Sequence, residues 1–285
     1  MIDLVAVGHV TVDETPSGIR PGGSAYYAAL TAHRLGLRVG LLTAVAPDYS
    51  LDVFPDGIEV MVVPSPHTTR YRVGEAPSRN SKTARTLTLL SRAVDLEAEH
   101  LPAAWREAPL AVLGPVANEV DPALAGAFDD ASVAVLPQGW MRKRGRGGLI
   151  APQPWEDAEA VLPWTQLLVL SEEDVGGSEE TAVTWMHQVP VGAITRAQRG
   201  ATLYVNGEPY HVMADMASEV DPTGAGDVFA TTLLIEYQRS GDAWEAAAVA
   251  ACAGAASVEA PGSAAIADRA GLDMRLAAYR KRRGG

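Results

Sequence analysis

Short apolar runs bounded by turn residues alternate with amphipathic stretches along most of this 285-residue chain. "IDLVAVG" (2–8) reads as a buried strand, "SAYYAALTAHRLG" (24–36) as a helix closed by Gly36, and "LRVGLLTAV" (37–45) as the next strand. This is the β–loop–α–β unit of a parallel sheet. The alternation resumes further on. Strands are expected at 110–116, 132–137, 167–171 and 191–195, and helices near 121–129 and at 179–189, 225–239, 242–259 and 268–282. Asn206-Gly207 inside "ATLYVNGEPYHV" marks a tight hairpin. The region 60–92 breaks the pattern: "EVMVVP", "TTRYRV" and "RTLTLLSRA" are strand-like with no helix between them, and "GEAPSRNSK" reads as a turn. The expectation is one α/β domain, residues 1–285, with a mostly parallel central sheet covered on both faces and a small β excursion.

Charge narrows the class of partner. Lys plus Arg total 23 against 35 Asp plus Glu, a formal charge of -12. A nucleic-acid partner is therefore not expected, since neutralising phosphates needs a basic face. The basic runs "RKRGRGG" (142–148) and "RKRR" (280–283) read as a solvated loop and tail. The single cysteine, Cys252, lies in an Ala-rich run and reads as a small core residue. No stretch approaches the roughly 18 apolar residues of a membrane span. "MIDLVAVGHV" lacks the basic start of a signal peptide, so a cytoplasmic location is expected.

The chemistry concentrates in "EVDPTGAGDVFATTLLIEY" (219–237). Small residues run straight into a helical pattern beginning near Ala225. The N–H groups of a first helical turn carry partial positive charge, so Gly224, Ala225 and Gly226 make a candidate cradle for a phosphate. The string is neither a Walker nor a Rossmann fingerprint. Asp227 is a misfit beside an anion. Either it is an ordinary first-turn acid, or it accepts the proton of a hydroxyl attacking the bound phosphate.

"DPTGAGDVFA" resembles the C-terminal signature of the ribokinase family, the PfkB carbohydrate kinases, whose pattern is Asp-Thr-x-Gly-Ala-Gly-Asp-x-Phe; Pro222 replaces the Thr. The resemblance implies a ribokinase-like, Rossmann-like three-layer sandwich with a small β lid, here at roughly 14–21 and 60–92. It implies ATP with Mg2+ and γ-phosphoryl transfer to an alcohol. Asp227 would be the base and the 224–226 backbone the anion hole. "VGHVTVD" and "PGGSAYYAA" resemble the family's substrate segments, which makes Asp13, Gly22, Gly23 and Tyr27 the substrate-binding candidates. "LLVLSEED" stands where the family has Asn-x-x-Glu. Ser171 and Asp174 occupy those places, Asp174 as the metal candidate. "AITRAQRG" resembles a nucleotide segment, giving Thr195, Arg199 and Gly200, with Ala197 in place of a glycine. "AACAGAASVEAPGSAAI" resembles the adenine slot.

Tyr27 stands where ribokinase-like members carry an Asn for sugar hydroxyls. Only eight residues separate Asp13 from Gly22, so the lid is expected to be about one hairpin, and the chain a monomer or homodimer. "GGSAYY" and "SEED" resemble the myo-inositol kinase branch, and a small polyol, myo-inositol first, is the expected acceptor. A pentose, a ketohexose or its phosphate, or a nucleoside are alternatives. A phosphorylated acceptor would call for Arg70, Arg72 or Lys82. A non-catalytic nucleotide or polyol sensor on the same fold is the reading from another class.

Overall fold

The computed structural model describes residues 1–74, 86–175 and 179–284. Strand β1 (Leu4–Val7) leads through β2 (Thr11–Thr15) and β3 (Gly18–Gly22) into α1 (Ser24–Arg34) and β4 (Val39–Val45). There follow β5 (Ile58–Pro64), β6 (Thr69–Val73), β7 (Leu87–Ser91), β8 (Leu110–Leu113), β9 (Ser132–Val135), and the pair β10 (Arg142–Arg144) and β11 (Ile150–Pro152). The second half runs α2 (Ala158–Val161), β12 (Leu167–Ser171), α3 (Glu180–Met186), β13 (Val191–Thr195), β14 (Ala201–Val205), β15 (Glu208–Val212), α4 (Ala225–Ser240), α5 (Ala243–Ser257) and α6 (Arg269–Arg282).

Among the described residues, nine strands form one sheet in the order β15-β14-β13-β12-β9-β8-β1-β4-β5. Every pairing from β13 to β5 is parallel. The period of two sorts the strand side chains between two cores. Leu4 and Ala6 pack with α1, α4 and α5, while Val5 and Val7 pack with Trp105, Phe128, Trp140 and Trp185 on the other face. Both faces being covered, the strands need no polar side, which is why they read as continuous apolar runs. At the far edge β14 and β15 pair antiparallel through Asn206 (φ 49°) and Gly207 (φ 83°), the left-handed pair that a two-residue hairpin demands. The three C-terminal helices are punctuated as their sequences suggest. Gly241, left-handed, closes α4, and Asp242 and Asp268 cap α5 and α6 through their carboxylates. No helix among the described residues is long and apolar enough to cross a membrane.

Three expectations are corrected. First, "EVMVVP" does not belong to the projecting β unit: β5 pairs parallel with β4 along its whole length and forms an edge of the central sheet. The connection 46–57 contains only a short 3-10 turn, Leu51–Val53, so no helical period announces a crossover. The excursion is instead a four-stranded sheet ordered β3-β2-β6-β7, in which β2 and β6 are parallel and the other pairings antiparallel. It is larger than one hairpin, because the eight-residue segment after Asp13 folds back tightly enough to supply β3. Residues 75–82 of the expected turn, Lys82 among them, lie outside the described residues.

Second, the helix expected near 121–129 is a 3-10 turn, Pro122–Gly126, capped by Asp121, whose Oδ1 accepts from Ala123 N–H at 2.8 Å. Gly126 sits against the Trp164 ring, where a Cβ would come within 2.9 Å of it. Third, neither basic run is simply solvated. Arg142 opens β10 half-buried, and Arg280 and Arg282 at the end of α6 pair with Glu245 and Asp215. Cys252 is buried, and burial pushes its thiol up to about 12, so it has no thiolate at neutral pH.

Candidate active site

The helix α4 starts where the small residues stop. Gly224, its N-cap, is left-handed (φ 82°), and a Cβ there would lie 2.4 Å from the Tyr27 ring, so both backbone and space require glycine. Gly226 is exposed, with nothing within 4 Å of the place a Cβ would take, so an anion has a clear approach to the backbone of the first turn. Asp227 points the other way, into the protein, and is 8% exposed. Burial is the main cause that pushes its carboxyl up to about 7. The Asp174 charge adds to this, while a hydrogen bond from Ser24 and the Arg142 charge oppose it. A carboxylate poised near neutrality beside an open backbone cradle can take up a proton at physiological pH.

Asp13 lies on β2, opposite Arg20 on β3. Its Oδ1 accepts from the Thr11 hydroxyl at 2.7 Å. A Cβ on Gly22 would stand 2.2 Å from its Oδ2, so the glycine makes room for this carboxylate. Burial raises Asp13 above the ordinary carboxylate range, against the pull of Thr11, Arg20 and Arg142. Tyr27 on α1 is 2% exposed and stands among three carboxylates: burial, then Asp227, Asp13 and Asp221, all push its phenol upward. Its hydroxyl has no hydrogen-bond partner among the described residues. A buried hydroxyl left so is costly until something supplies a partner, and a ligand hydroxyl between Asp13 and Asp227 would do that.

Ser171 and Thr195 are register partners at the ends of β12 and β13. Asp174 closes the turn beyond: its Oδ2 accepts from Ser171 N–H at 2.8 Å and from the Ser171 hydroxyl at 2.7 Å. Arg199 is not brought to the others; it is 65% exposed and pairs with Glu172. Its neighbour Arg196 pairs with Glu179 at 2.6 Å. Gly200 follows at φ 82°, and Ala197 is left-handed at φ 49°, a conformation that strains an alanine. Ala197→Gly is expected to raise stability by about 1 kcal/mol, read from the urea midpoint at unchanged m.

Among the described residues, no three or more His, Cys, Asp or Glu side chains gather to hold a metal. Mg2+ seldom asks for that, because it takes one or two carboxylates plus phosphates and waters. The donor chemistry here fits that use, since Asp174 and Asp227 repel each other across the site and a cation would relieve them.

Four further residues reach the site. Ser24 at the start of α1 favours the ionised form of Asp227, and Gln138 Nε2 donates to Ser24 Oγ at 2.6 Å. Arg142 bonds Gln138 at 2.7 Å and acts electrostatically on both Asp13 and Asp227. Arg20 pairs with Asp221 at 2.5 Å. Arg142 was hidden in a run whose neighbours Lys143 and Arg144 are exposed. Ser24 and Gln138 carry no charge to draw attention.

A model of the "pfkB family carbohydrate kinase" matches residues 156–269, which include the whole Gly224–Asp227 turn. The cytidine kinase of Thermococcus kodakarensis is 25% identical over 263 residues, 84% of this chain and 90% of that one. Among solved structures, a pyrophosphate-dependent kinase in the ribokinase family, complexed with a pyrophosphate analog and myo-inositol, superposes with a TM-score of 0.77 at 19% identity, covering 91% of this chain and 96% of the other. The ribokinase of Thermotoga maritima gives 0.75 at 18% identity, covering 97% and 100%. The α/β fold is that of ribokinase, and residues 156–269 of the chain are similar to the pfkB family of carbohydrate kinases.

Proposed function

We propose that the protein transfers a terminal phosphoryl group to a hydroxyl of a small polyol, with myo-inositol as first choice and ATP as first donor. One observation carries this reading: the buried carboxyl of Asp227, poised near neutrality in the first turn of α4, next to a glycine-opened backbone. In this reading the acceptor lies between Asp13 and Tyr27, over the backbone of Gly22 and Gly23. Asp227 takes its proton as its oxygen attacks phosphorus, and the bond from phosphorus to the donor's bridging oxygen breaks. The N–H groups at Gly224 and Gly226 face the charge that develops on the transferred group, and that of Ala225 would join them by leaving Pro222 C=O, to which it donates at 3.3 Å. Asp174, with the donor phosphates, would hold Mg2+, which would supply charge neutralisation. Ser171, Thr195 and Gly200 border the donor. Arg199 would have to leave Glu172 to take part. The four-stranded sheet acts as a lid that excludes water.

Donor and acceptor are separate questions. A likeness to a pyrophosphate-dependent kinase makes pyrophosphate the alternative to ATP, and the cytidine kinase relative keeps a nucleoside beside the polyol, as do pentoses and ketohexoses. The test is turnover of the purified protein with Mg2+ and either donor, across inositols, pentoses, hexoses, sugar phosphates and nucleosides. A cyclic polyol phosphorylated with the highest kcat/KM supports the reading. Cytidine phosphorylated alone would replace the acceptor. Donor binding without turnover on any acceptor would move the protein to a sensor. Arg142→Met is expected to raise the acceptor KM about tenfold or more, because it removes the cation facing both carboxylates. A KM within twofold of wild type would remove Arg142 from the pocket.

A further inference from the structure

The four-stranded sheet turns different charges to its two faces. Residues paired across neighbouring strands stand on the same face, and residues adjacent along a strand stand on opposite ones. Asp13 pairs with Arg20 on β3 and with Tyr71 on β6. Asp13 and Tyr71 are buried, and Arg20 meets Asp221 at the entrance of α4, so this is the inner face. Arg70 and Arg72 pair in register with Val12 and Glu14, and their guanidiniums meet the Glu14 carboxylate at 3.2 and 2.8 Å. They belong to the outer face. The two arginines that a phosphorylated acceptor would call for thus stand on the wrong side of the sheet, each already paired.

Arg20 is the cation of the inner face among the described residues, and its guanidinium is only partly used. Nη1 meets Asp221 Oδ2 at 2.5 Å, and the stem lies over Gly262, where a Cβ would come 3.7 Å from Arg20 Cδ. Its Nε is buried and has no hydrogen-bond partner among the described residues. Every guanidinium nitrogen is a donor, so this N–H needs a lone pair. The Tyr27 hydroxyl is buried and unpartnered in the same region. Asp221, which Arg20 meets, also bonds the Thr223 hydroxyl, and the next residue, Gly224, lies against the Tyr27 ring. The Arg20 charge acts on both Asp13 and the Tyr27 phenol, in keeping with that closeness. Each unpartnered group is costly to bury until a partner is supplied.

We infer, taking the acceptor pocket of the proposed transfer as given, that Arg20 binds the acceptor and selects a neutral one: its Nε–H donates to one hydroxyl of a polyol whose neighbouring hydroxyl donates to Asp13. A hydroxyl both donates and accepts, so a vicinal pair satisfies a carboxylate and a guanidinium N–H at once. Residues opposed in an antiparallel pair have Cα atoms about 5 Å apart, which suits two oxygens on adjacent carbons. Because Asp221 already matches the Arg20 charge, the ligand meets a donor and not an unopposed cation. Three carboxylates, Asp13, Asp221 and Asp227, face two guanidiniums, Arg20 and Arg142. A phosphate or carboxylate on the acceptor would add to that excess of negative charge.

The test is calorimetric binding of acceptors in the absence of donor, which needs no turnover. The neutral probes are myo-inositol, ribose, fructose and cytidine; the anionic ones are fructose 6-phosphate and gluconate. Wild type is expected to bind at least one neutral probe about tenfold or more tighter than either anion. Arg20→Lys keeps a cation for Asp221 but puts a methylene where Nε stood. It is expected to weaken the bound neutral probe about tenfold, and to raise its KM by the same factor with kcat unchanged. The monodeoxy analogue lacking the hydroxyl at Nε should bind wild type about tenfold more weakly than its parent, and Arg20→Lys as well as its parent does. Should Arg20→Lys not fold, Arg20→Met/Asp221→Asn, which strands neither charge, carries the same test. The assignment is overturned if no neutral probe binds, if an anion binds tighter than all of them, if Arg20→Lys binds as wild type does, or if the deoxy losses are equal in both proteins. Turnover decides the kinase reading separately. Neutral binding weakened in Arg20→Lys, with no turnover in either protein, keeps Arg20 in the pocket and removes the transfer. Turnover with an unchanged acceptor KM in Arg20→Lys keeps the transfer and removes Arg20.

Discussion

Asp227→Asn is expected to lower kcat at least about 10³-fold with little change in donor or acceptor affinity, and to stabilise the fold above pH 7. The two effects share one cause. Burial of the carboxyl at the start of α4 raises it from the usual 3.8 to about 7. Below pH 4, folded and unfolded chains both hold the proton and the site costs nothing. Between pH 4 and 7 the unfolded chain has released it and the folded chain has not, so stability falls as pH rises. Above 7 the cost is complete, about 2–4 kcal/mol for a shift of this size. Asparagine has nearly the same shape and never ionises, so the variant escapes the cost. Its melting temperature should exceed that of wild type at pH 8 and match it at pH 4. In the wild type, kcat/KM should rise through a limb centred near pH 7 as the base ionises. Turnover within tenfold of wild type would refute the assignment of the base. Equal melting temperatures at pH 8 would show that the carboxyl is not held uncharged in the fold.

The sequence carried the central sheet because its strands are buried on both faces and so read as unbroken apolar runs. Its helices carried their own stops, Gly36, Gly241 and the caps Asp242 and Asp268. The edge strand β5 was misplaced for a physical reason: what joined it to β4 was an irregular segment, and membership of a sheet is decided by pairing partners that no local pattern reports. The turn at 224–227 was legible because anion binding by backbone needs small residues, and small residues are conspicuous in a string. The groups that tune Asp227 were not. Ser24, Gln138 and Arg142 lie far apart along the chain and meet only because α1 starts, and β9 ends, above the same edge of the sheet. Arg20 was equally hidden, since its partner Asp221 is some 200 residues away.

Asp221→Ala is expected to cost about 3–5 kcal/mol at pH 7, the largest stability effect of any single change in the site. The first aspartate of "DPTGAGD" is 5% exposed and performs no chemistry in the proposed transfer; it holds three parts of the molecule together. Its Oδ1 accepts from the Thr223 N–H at 3.1 Å and hydroxyl at 2.7 Å, which shapes the turn leading into α4. Its Oδ2 accepts from Gly262 N–H at 2.8 Å, which ties in the segment after α5. The same oxygen meets Arg20 from the four-stranded sheet at 2.5 Å. Burial alone would raise this carboxyl; the donors from Gly262 and Thr223, then Arg20, outweigh it and hold it below the ordinary range. A lowered carboxylate contributes stability that is present at neutral pH and lost as pH falls below about 4, so the penalty of the alanine variant should shrink in acid. Removing the carboxylate also strands the Arg20 guanidinium, 21% exposed in its side chain, without its anion. The variant Arg20→Met/Asp221→Ala should therefore recover about 1 kcal/mol or more relative to Asp221→Ala alone, measured by urea denaturation at pH 7. A single-variant loss below about 1 kcal/mol, or no recovery in the pair, would show that Asp221 shapes only its own turn and does not latch the small sheet to the α4 entrance.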